Sequence, residues 1–436
     1  MKPTLNLTHT LRMEKPIYGG ECLARAESES KRGKTVFVPL TLPGETVTAH
    51  VTEERRSFAK AEVDQILTAS VDRVQPKCPH FGSCGGCHYQ HAGYPAQKNL
   101  KQQILRETLT RAGVALPPEI GLLSAEPWAY RNRIRLGLNS AQEFGYRGRR
   151  SHSIVPIREC PIAAPRLMEA AAQIARFLKD HPSPSPISEF ELFTNHDQSQ
   201  LLITLFSQKA SQKEAPAWLD AVSAALSPHP TGLRIQYSDG SLNPQILAIS
   251  GGSSLTYTAA GIDYRVDHGA FFQVNRWLID DFTTLIAASH SGKLAWDLFA
   301  GVGLFARQLA QSFEEVLAIE SAPASFPALE HNLQNTNSRS FGLSTLDFLR
   351  RNREEREPGP DLIVLDPPRT GLGEETTSLL NAIHAPVMVY VSCDPATLAR
   401  DLHALTSERY KIDSIILVDM FPQTFHLETV VRLSRI

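Results

Sequence analysis

Four cysteines have the spacing of a metal-binding set. Cys78, Cys84 and Cys87 follow the pattern C-x5-C-x2-C, and Cys160 stands immediately before a proline after 72 further residues. The two glycines between Cys84 and Cys87 let the backbone approach a ligand closely, and Cys-Pro at the last ligand recurs in bacterial iron–sulfur sites. Four thiolates suit either a 4Fe–4S cluster or a structural zinc ion. The spacing favours the cluster, whereas Cys22 is expected to be an ordinary core thiol.

The sixth cysteine has the setting of a nucleophile. Cys393 lies in the sequence S-C-D-P, between an apolar strand at residues 387–391 and the start of a helix. A thiol at a helix N-terminus meets a positive dipole, which predicts a lowered pKa and a larger thiolate fraction. Glu428 follows 35 residues later among apolar neighbours. Partial burial raises the pKa of a carboxyl group and suits it to accept a proton, with His426 as the second candidate for this role.

A glycine-rich turn predicts a nucleotide-like cofactor. The sequence D-L-F-A-G-V-G-L at residues 297–304 leaves a strand and enters a helix, and residues 301–306 fit the dinucleotide pattern G-x-G-x-x-A. Glu320 ends the next strand, 23 residues beyond Asp297. An acid in that position binds ribose hydroxyls. This turn is compatible with either NAD or S-adenosylmethionine.

A second loop favours the methyltransferase alternative. The sequence D-P-P-R-T-G occupies residues 366–371, after the strand at residues 362–365. Ligands of open α/β sheets bind at the carboxyl ends of the strands. A D-P-P loop in that place is typical of methyltransferases that act on planar nitrogen or carbon centres of bases. Two prolines would also suit a rigid strand-to-helix turn.

A basic stretch with interleaved aromatic residues indicates contact with RNA. Between Tyr130 and Arg150 the only acidic residue is Glu143. Arginine binds phosphates and aromatic faces stack on unpaired bases. The alternative is a solvated strand face, because three of the arginines alternate along a predicted strand. The six arginines are Arg131, Arg133, Arg135, Arg147, Arg149 and Arg150.

The elements that must position these residues divide the chain into three parts. Short strands with turns predict a small β-barrel at residues 1–70. Residues 71–260 mix strands and helices, beginning with a helix from about Tyr94 to Ala112, and predict an α+β central domain. From residue 261 strands and helices alternate, which is the pattern of a doubly wound, Rossmann-like α/β domain.

Composition sets the class of protein. The 436 residues are 42% hydrophobic and 21% charged, so the chain can bury real cores. A net charge of -2 argues against a broadly basic nucleic-acid binder, although a local basic groove stays possible. The first 16 residues lack the apolar core of a signal peptide, and we expect a cytoplasmic protein with no membrane segment. No feature indicates a protein partner, and a monomer is expected.

With these motifs identified, the chain resembles the RNA uracil-5-methyltransferases of the iron–sulfur-containing bacterial rRNA type, which carry an N-terminal TRAM barrel, and their tRNA-modifying relatives. The motifs occur in family order over nearly the whole chain, and S-C-D-P followed by H-L-E is the most specific pair. The resemblance implies methyl transfer from S-adenosylmethionine to carbon 5 of a uridine in RNA. It favours 23S rRNA as substrate and leaves tRNA open.

The resemblance also implies roles for individual residues. Cys393 would be the nucleophile and Glu428 the base. Phe271 or Phe272 would stack on the target base once it has left its stack. The implied cluster ligands are Cys78, Cys84, Cys87 and Cys160. The implied cofactor contacts are Gln273, Phe299, Glu320, Asp366 and, at a position variable in the family, Asp347.

One departure from the family and three rival functions remain. Leu304 stands where the rRNA enzymes often have asparagine, so one hydrogen bond to the cofactor is expected to be missing. An amino-methyltransferase would use the D-P-P loop without Cys393. An RNA-binding iron–sulfur sensor would have lost catalysis. An NAD-dependent oxidoreductase would leave the S-C-D-P and D-P-P-R motifs unexplained.

Overall fold

The chain divides into two compact units. The computed structural model describes residues 8–25, 33–210, 214–237, 240, 244–288, 290–355, 359–407 and 409–436. The first unit comprises Met1–Thr108, Gly148–Ser151 and Phe421–His426, and the second comprises Leu109–Arg147, His152–Met420 and Leu427–Ile436. In the described ranges, no helix combines the length and apolar character needed to cross a bilayer.

A closed five-stranded barrel forms the core of the first unit. Its strands are β1 (Thr8–Ile17), β2 (Glu21–Arg25), β3 (Thr35–Pro39), β4 (Thr46–Glu54) and β5 (Phe58–Thr68), and helix α1 (Tyr94–Arg111) follows the cysteine-containing loop. The strand order is β1-β2-β3-β5-β4, and β4 closes the barrel against β1. Val47 and Ala49 point into the core, as their alternation predicts. Register shifts between β4 and β5 bend the strands enough to close the sheet.

A seven-stranded sheet opens the second unit. Its order is β13-β12-β11-β10-β7-β8-β9, antiparallel except for the pair β11 and β12. Helices α2 and α3 bury their apolar sides against one face of this sheet. The elements in chain order are β6 (Gly121–Leu123), β7 (Arg133–Leu138), β8 (Phe144–Arg147), β9 (Ile154–Pro156), α2 (Pro165–Asp180), β10 (Ile187–Thr194), β11 (Leu201–Ser207), α3 (Ala215–Ala225), β12 (Gly232–Tyr237) and β13 (Gln245–Gly251).

The remainder of the second unit contains a hairpin and an eight-stranded sheet. The sheet order is β18-β17-β16-β19-β20-β22-β21-β6. The hairpin consists of β14 (Ser254–Ala259) and β15 (Ile262–Asp267), and helix α4 (Ile279–Ala287) follows it. Besides β6, the sheet and its helices are β16 (Gly292–Leu298), α5 (Leu304–Leu309), β17 (Phe313–Ile319), α6 (Phe326–Asn332), β18 (Ser338–Phe341), α7 (Thr345–Glu355), β19 (Leu362–Leu365), α8 (Glu374–Ile383), β20 (Val387–Ser392), α9 (Pro395–Thr406), β21 (Tyr410–Val418) and β22 (Glu428–Arg435).

The chain order within the eight-stranded sheet creates a place for a ligand. Strands β18, β17, β16, β19 and β20 are parallel, and the connections from β16 run first to β17 on one side and later to β19 on the other. In open α/β sheets a crevice forms at such a reversal, outside the carboxyl ends of the strands. Strand β22 is antiparallel to both neighbours, β20 and β21. The predicted doubly wound α/β domain is confirmed.

Candidate active site

The loop after β16 contains three residues at positive φ, one of which is not glycine. Phe299 adopts a φ of 69°, and Gly301 and Gly303 have φ values of 56° and 87°. A Cβ on Gly303 would stand 2.8 Å from Leu329 Cδ1, whereas one on Gly301 would meet no described atom within 4 Å. A non-glycine residue held at positive φ stores backbone strain of a kind that clusters at ligand sites. A side chain therefore has no room at position 303, where the loop packs against Leu329, whereas position 301 is open.

Asp297, at the penultimate position of β16, is a fully buried carboxyl group. Its Oδ2 accepts a hydrogen bond from the Ala306 N–H at 2.8 Å, and its Oδ1 is buried without a hydrogen-bond partner among the described residues. Burial raises the pKa of Asp297 to about 8, and the charges of Asp366 and Glu320 add to the effect. A buried acceptor with no partner would be stabilised by a positively charged ligand.

Glu320 accepts a hydrogen bond from the backbone of the same loop. It follows β17 directly, and its Oε2 accepts from the Gly301 N–H at 2.8 Å while its Oε1 accepts from the Ala322 N–H at 2.5 Å. The carboxylate is thus fixed next to the glycine turn, as the predicted ribose contact requires.

Two of the predicted cofactor contacts meet beside β19. The Gln273 side-chain amide donates to Asp366 Oδ2 at 3.4 Å. Burial raises the pKa of Asp366, with a further contribution from Glu320. Gln273 is held in place from behind, because the buried Asn132 donates from its side chain to the Gln273 carbonyl at 2.9 Å. Residues separated by 93 positions in sequence therefore form one polar pair.

Asp347 and Leu304 have different surroundings. Asp347 lies on the first turn of α7, where its carboxylate accepts from the Ser344 hydroxyl at 2.7 Å and contacts Arg350 at 3.5 Å. Its predicted role beside the adenine stays a prediction. Leu304 is buried at the start of α5, and its carbonyl accepts from the Tyr264 hydroxyl at 3.0 Å. An apolar side chain at this position is consistent with the expected loss of one cofactor hydrogen bond.

The turn that carries Cys393 is fixed by the residue after it. The Asp394 carboxylate caps α9 by accepting from the N–H groups of Ala396 at 2.9 Å and Thr397 at 3.0 Å. Such a cap satisfies the amide groups that otherwise give a helix N-terminus its positive character. Cys393 itself is half-buried and stands one residue outside this cap.

Glu428 reaches Cys393 through the register of the last strands. β20 and β22 are antiparallel, and Ser392 pairs with Thr429. Cys393 follows Ser392 and Glu428 precedes Thr429, so this pairing brings the two residues near each other, and the charge of Glu428 acts on the Cys393 thiol. The Glu428 carboxyl group is buried, and its Oε1 lacks a hydrogen-bond partner in the part of the chain that the structure describes.

The electrostatics of this pair correct the expectation of an activated thiol. Burial raises the pKa of Cys393 to about 12, and the charges of Glu428 and Asp366 reinforce the shift. Burial also raises the pKa of Glu428 well above its ordinary value, and Asp366 adds to it. The predicted lowering of the thiol pKa was wrong, because Asp394 already occupies the helix N-terminus and desolvation outweighs the remaining dipole.

Arg369 is a site residue that the sequence analysis did not assign. It belongs to the D-P-P-R-T-G loop, and its positive charge lowers the pKa of both Cys393 and Glu428. Its backbone is tied to the nucleophile's helix, because the Thr397 hydroxyl donates to the Arg369 carbonyl at 3.1 Å. The available signal was its place in the motif, beside Asp366.

The two candidate stacking residues differ in exposure. Phe271 is 59% exposed, and Phe272 is 2% exposed and packs against Phe193 and Tyr257. Of the two, Phe271 has the accessible ring, so the structure separates two residues that the sequence left equal.

The cysteines of the predicted cluster belong to both units. Cys78, Cys84 and Cys87 are in the first unit and Cys160 is in the second. None of the four forms a disulfide, and the Gly86 N–H donates to Cys84 Sγ at 3.4 Å. Among the described residues, no group of three or more His, Cys, Asp or Glu side chains is gathered closely enough to hold a metal ion. Cys22 is a buried core thiol, as expected, and it donates to the Thr41 carbonyl.

The arginines of the basic stretch are largely compensated. Arg135 and Arg147 both contact Glu189, and Arg135 also lies over the Phe206 ring at 3.9 Å. In the first unit, Arg149 and Arg150 contact Glu62. Paired guanidinium groups contribute less free charge than their number suggests.

Comparison with known proteins agrees with the fold. Residues 252–436 match the family described as tRNA (Uracil-5-)-methyltransferase, and residues 10–63 match the TRAM domain. The tRNA (uracil-54, C5)-methyltransferase of Pyrococcus abyssi, solved in complex with S-adenosyl-L-homocysteine, superposes with a TM-score of 0.76 at 22% identity over 98% of this chain and 100% of that chain. The fold is therefore that of an S-adenosylmethionine-dependent methyltransferase.

Curated relatives extend the match to the full length. A 23S rRNA (uracil(1939)-C(5))-methyltransferase of Halomonas elongata is 32% identical over 97% of this chain and 89% of that protein. One of Shewanella woodyi with the same description is 31% identical over 91% and 90%, respectively. An uncharacterized RNA methyltransferase of Streptomyces avermitilis is 32% identical over 96% of each. The chain belongs to the uracil-5-methyltransferase family, which confirms the predicted S-adenosylmethionine-dependent RNA methyltransferase.

Proposed function

We propose that this enzyme methylates carbon 5 of a uridine in 23S rRNA, with Cys393 as nucleophile and Glu428 as base. The observation that carries the proposal is the pairing of β20 with β22, which brings the half-buried Cys393 thiol near the buried Glu428 carboxyl group. This pair meets the two needs of the reaction. Carbon 5 of uracil requires activation by a nucleophile at carbon 6, and its hydrogen must leave afterwards as a proton.

The residues around the glycine turn fit S-adenosylmethionine. Glu320 would hold the ribose, Phe299 and the Gly301 backbone would line the nucleoside, and Gln273 and Asp366 would stand beside the reacting end. The orphaned Oδ1 of Asp297 adds a buried acceptor that favours a cationic ligand. When bound, S-adenosylmethionine supplies the methyl group on a positively charged sulfur.

Cys393 performs the first step. Its sulfur attacks carbon 6 of the uracil, a C–S bond forms, and the electrons of the C5–C6 double bond move into an enolate whose carbon 5 is nucleophilic. The thiol must lose its proton during this attack. Arg369 is the residue whose charge favours the thiolate and opposes the effect of burial.

Glu428 completes the cycle. After carbon 5 has accepted the methyl group, the carboxylate removes the remaining proton from carbon 5, the double bond re-forms, and the C–S bond breaks to release Cys393. A raised pKa makes Glu428 a stronger proton acceptor than an exposed glutamate. Phe271 stacks on a neighbouring or extruded base and keeps the target out of its helix.

The substrate RNA follows from the relatives. Those described as acting on uracil 1939 of 23S rRNA match 97% and 91% of this chain. The Pyrococcus abyssi structure is described as a tRNA enzyme and shows the fold alone. We therefore favour 23S rRNA, and tRNA is the alternative substrate.

Two experiments test the reaction. RNA that contains 5-fluorouridine cannot lose a proton from carbon 5, so wild-type enzyme should become covalently attached to it, and Cys393→Ala should not. The matched control is Cys22→Ala, which removes a buried thiol of the barrel. Normal turnover by Cys393→Ala would contradict the mechanism. Comparing 5-methyluridine in rRNA and tRNA from a deletion strain decides between the two substrates.

The four cysteines Cys78, Cys84, Cys87 and Cys160 are proposed to ligate a 4Fe–4S cluster. The support is the donor chemistry: thiols only, three of them within ten residues, and a backbone N–H that donates to one sulfur. The described side chains are not gathered into a metal site, so no step of the reaction is assigned to the cluster. Because methyl transfer needs no electrons, we propose a role for the cluster in ordering the chain and docking RNA and not in redox chemistry.

Analysis of the anaerobically purified protein tests this assignment. Iron and acid-labile sulfide in equal amounts, near four of each per chain, would support the cluster. One zinc ion per chain without sulfide would establish the alternative. Cys160→Ser should lower the iron content, whereas Cys22→Ser should leave it unchanged.

A further inference from the structure

The loop that precedes the base is built into the unit that contains the barrel. β21 ends at Val418 and β22 begins at Glu428. Between them, Phe421–His426 belongs to the first compact unit, although both strands belong to the second. The chain therefore leaves the second unit at Phe421–His426 and returns to it at Leu427, immediately before the proposed base.

Helix α1 holds this loop by two buried polar side chains. Gln97 Oε1 accepts from the Gln423 N–H at 3.0 Å, and Gln97 Nε2 donates to Gln423 Oε1 at 2.9 Å. One helical turn later, Lys101 Nζ donates to the Phe421 carbonyl at 2.9 Å. Both side chains are almost completely inaccessible, at 1% and 0% exposure. Burying a glutamine and a lysine is costly unless they are satisfied, so these contacts strongly favour one position of the loop.

The segment that follows Cys87 also binds Gln423, through two backbone N–H groups. The Gln423 carbonyl accepts from the N–H groups of His88 at 2.8 Å and Tyr89 at 3.0 Å, immediately after Cys87. The Phe425 ring packs edge-on against His88 at 4.6 Å. Gln423 has a φ of 69°, a conformation that a glutamine keeps only where its surroundings impose it.

The Glu428 backbone pairs with Val418 at the first position of β22, two residues after the loop ends. Its Oε1 has no hydrogen-bond partner among the described residues, so its carboxyl group depends on where the backbone enters β22. We propose that Gln97 and Lys101, acting through the loop Phe421–His426, are positioning residues for the catalytic base. This inference rests on the proposed function, because it assigns Glu428 the proton-abstraction step.

The role predicts a defect in one step of the cycle. When the hydrogen bonds from Gln97 and Lys101 to the loop (the anchor) are removed, Cys393 should still attack carbon 6, and carbon 5 should still accept the methyl group. Proton removal from carbon 5 should slow by about tenfold or more, because the base is misplaced. A merely structural role would slow attack and proton removal alike. The methylated covalent adduct should therefore accumulate in the variants.

The test uses the full-length protein and RNA labelled with tritium at carbon 5 of uridine. Gln97→Met removes both hydrogen bonds to Gln423 and keeps the side-chain volume. Gln103→Met is the matched control, because Gln103 is exposed on the same helix and contacts Glu107. We expect unchanged adduct formation, slower tritium release for Gln97→Met, and wild-type behaviour for Gln103→Met. Equal slowing of both steps, or of neither, would overturn the inference.

Two further measurements keep the result decisive. Gln423→Gly replaces Gln97→Met if that variant does not fold. It removes only the side-chain hydrogen bond to Gln97, at a φ that glycine adopts freely, so it should slow tritium release by a smaller factor. Amide hydrogen exchange should quicken in residues 421–431 of Gln97→Met, including the start of β22, and a change confined to residues 421–426 would contradict the inference. If wild-type enzyme releases no tritium from rRNA or tRNA, the proposed function is wrong. The hydrogen-exchange data then still decide whether the contacts of Gln97 stabilise the start of β22.

Discussion

Cys393 and Glu428 stand next to the last residue pair that joins β20 to β22, Ser392 with Thr429, and the charge of Glu428 acts on the Cys393 thiol. The charge of Glu428 raises the pKa of the thiol, and burial raises the pKa of both. Arg369 is the nearby charge that opposes both shifts.

The first prediction concerns the base. Glu428→Gln keeps the shape of the side chain but cannot accept a proton, so attack and methylation should proceed while release of the RNA stops. Product formation should fall by about a hundredfold or more, and a methylated protein–RNA adduct that survives denaturing gel electrophoresis should accumulate. The double variant Cys393→Ala/Glu428→Gln should form no adduct. An adduct formed by that double variant would show that another residue attacks the base.

The second prediction concerns Arg369. Its charge lowers the pKa of both Cys393 and Glu428. Arg369→Met should therefore raise both pKa values further, and the pH dependence of kcat/KM should move to higher pH. Arg369→Lys should restore part of the shift because it restores the charge. The control is Arg339→Met, which removes an exposed arginine that pairs with Glu315. An unchanged pH profile in Arg369→Met would remove Arg369 from the mechanism.

Much of this site was predictable because its motifs stand at the ends of strands. The strand predicted at residues 362–365 coincides with β19, and the helix predicted from Tyr94 to Ala112 is α1. Hydrophobic periodicity predicted these elements, and the order of the motifs predicted the site residues beside them. Gln273 could be assigned only by resemblance, because nothing local indicates that it meets Asp366.

What the sequence did not show depends on distant partners. β6 has three residues and no periodicity, and it exists because it pairs with β21 nearly 300 residues later. The anchored loop before Glu428 likewise depends on α1. The error in the thiol pKa has the same origin, because a helix dipole is a local property whereas burial, Glu428 and Asp366 are supplied by the folded chain.

The third prediction concerns the cap of α9. Asp394 accepts two backbone N–H groups, so Asp394→Ala should lower the free energy of unfolding by about 1 kcal/mol. Asp394→Asn keeps an acceptor and should lose only a small part of that. Urea denaturation of the three proteins measures the effect. A loss as large in Asp394→Asn as in Asp394→Ala would indicate that the charge, not the hydrogen bonds, stabilises the turn.

The fourth prediction concerns the buried Asp297. Its pKa rises from an ordinary 3.8 to about 8 in the folded protein. Between those values the folded chain retains a proton that the unfolded chain has lost, so the contribution of Asp297 to stability is fully present below about pH 4 and declines up to about pH 8. The slope from this group is at most about 1.4 kcal/mol per pH unit.

Asp297→Asn tests this dependence, because asparagine is nearly isosteric and can still accept from the Ala306 N–H. Urea denaturation at pH 5, 6, 7 and 8 should show a flatter decline in the variant than in the wild type. Asp413→Asn is the control, since Asp413 is exposed and accepts from Ser434. Parallel curves for wild type and Asp297→Asn would mean that Asp297 is already ionised in the folded protein. Because a cationic ligand favours the ionised carboxylate, S-adenosylmethionine should also narrow the difference between the two curves.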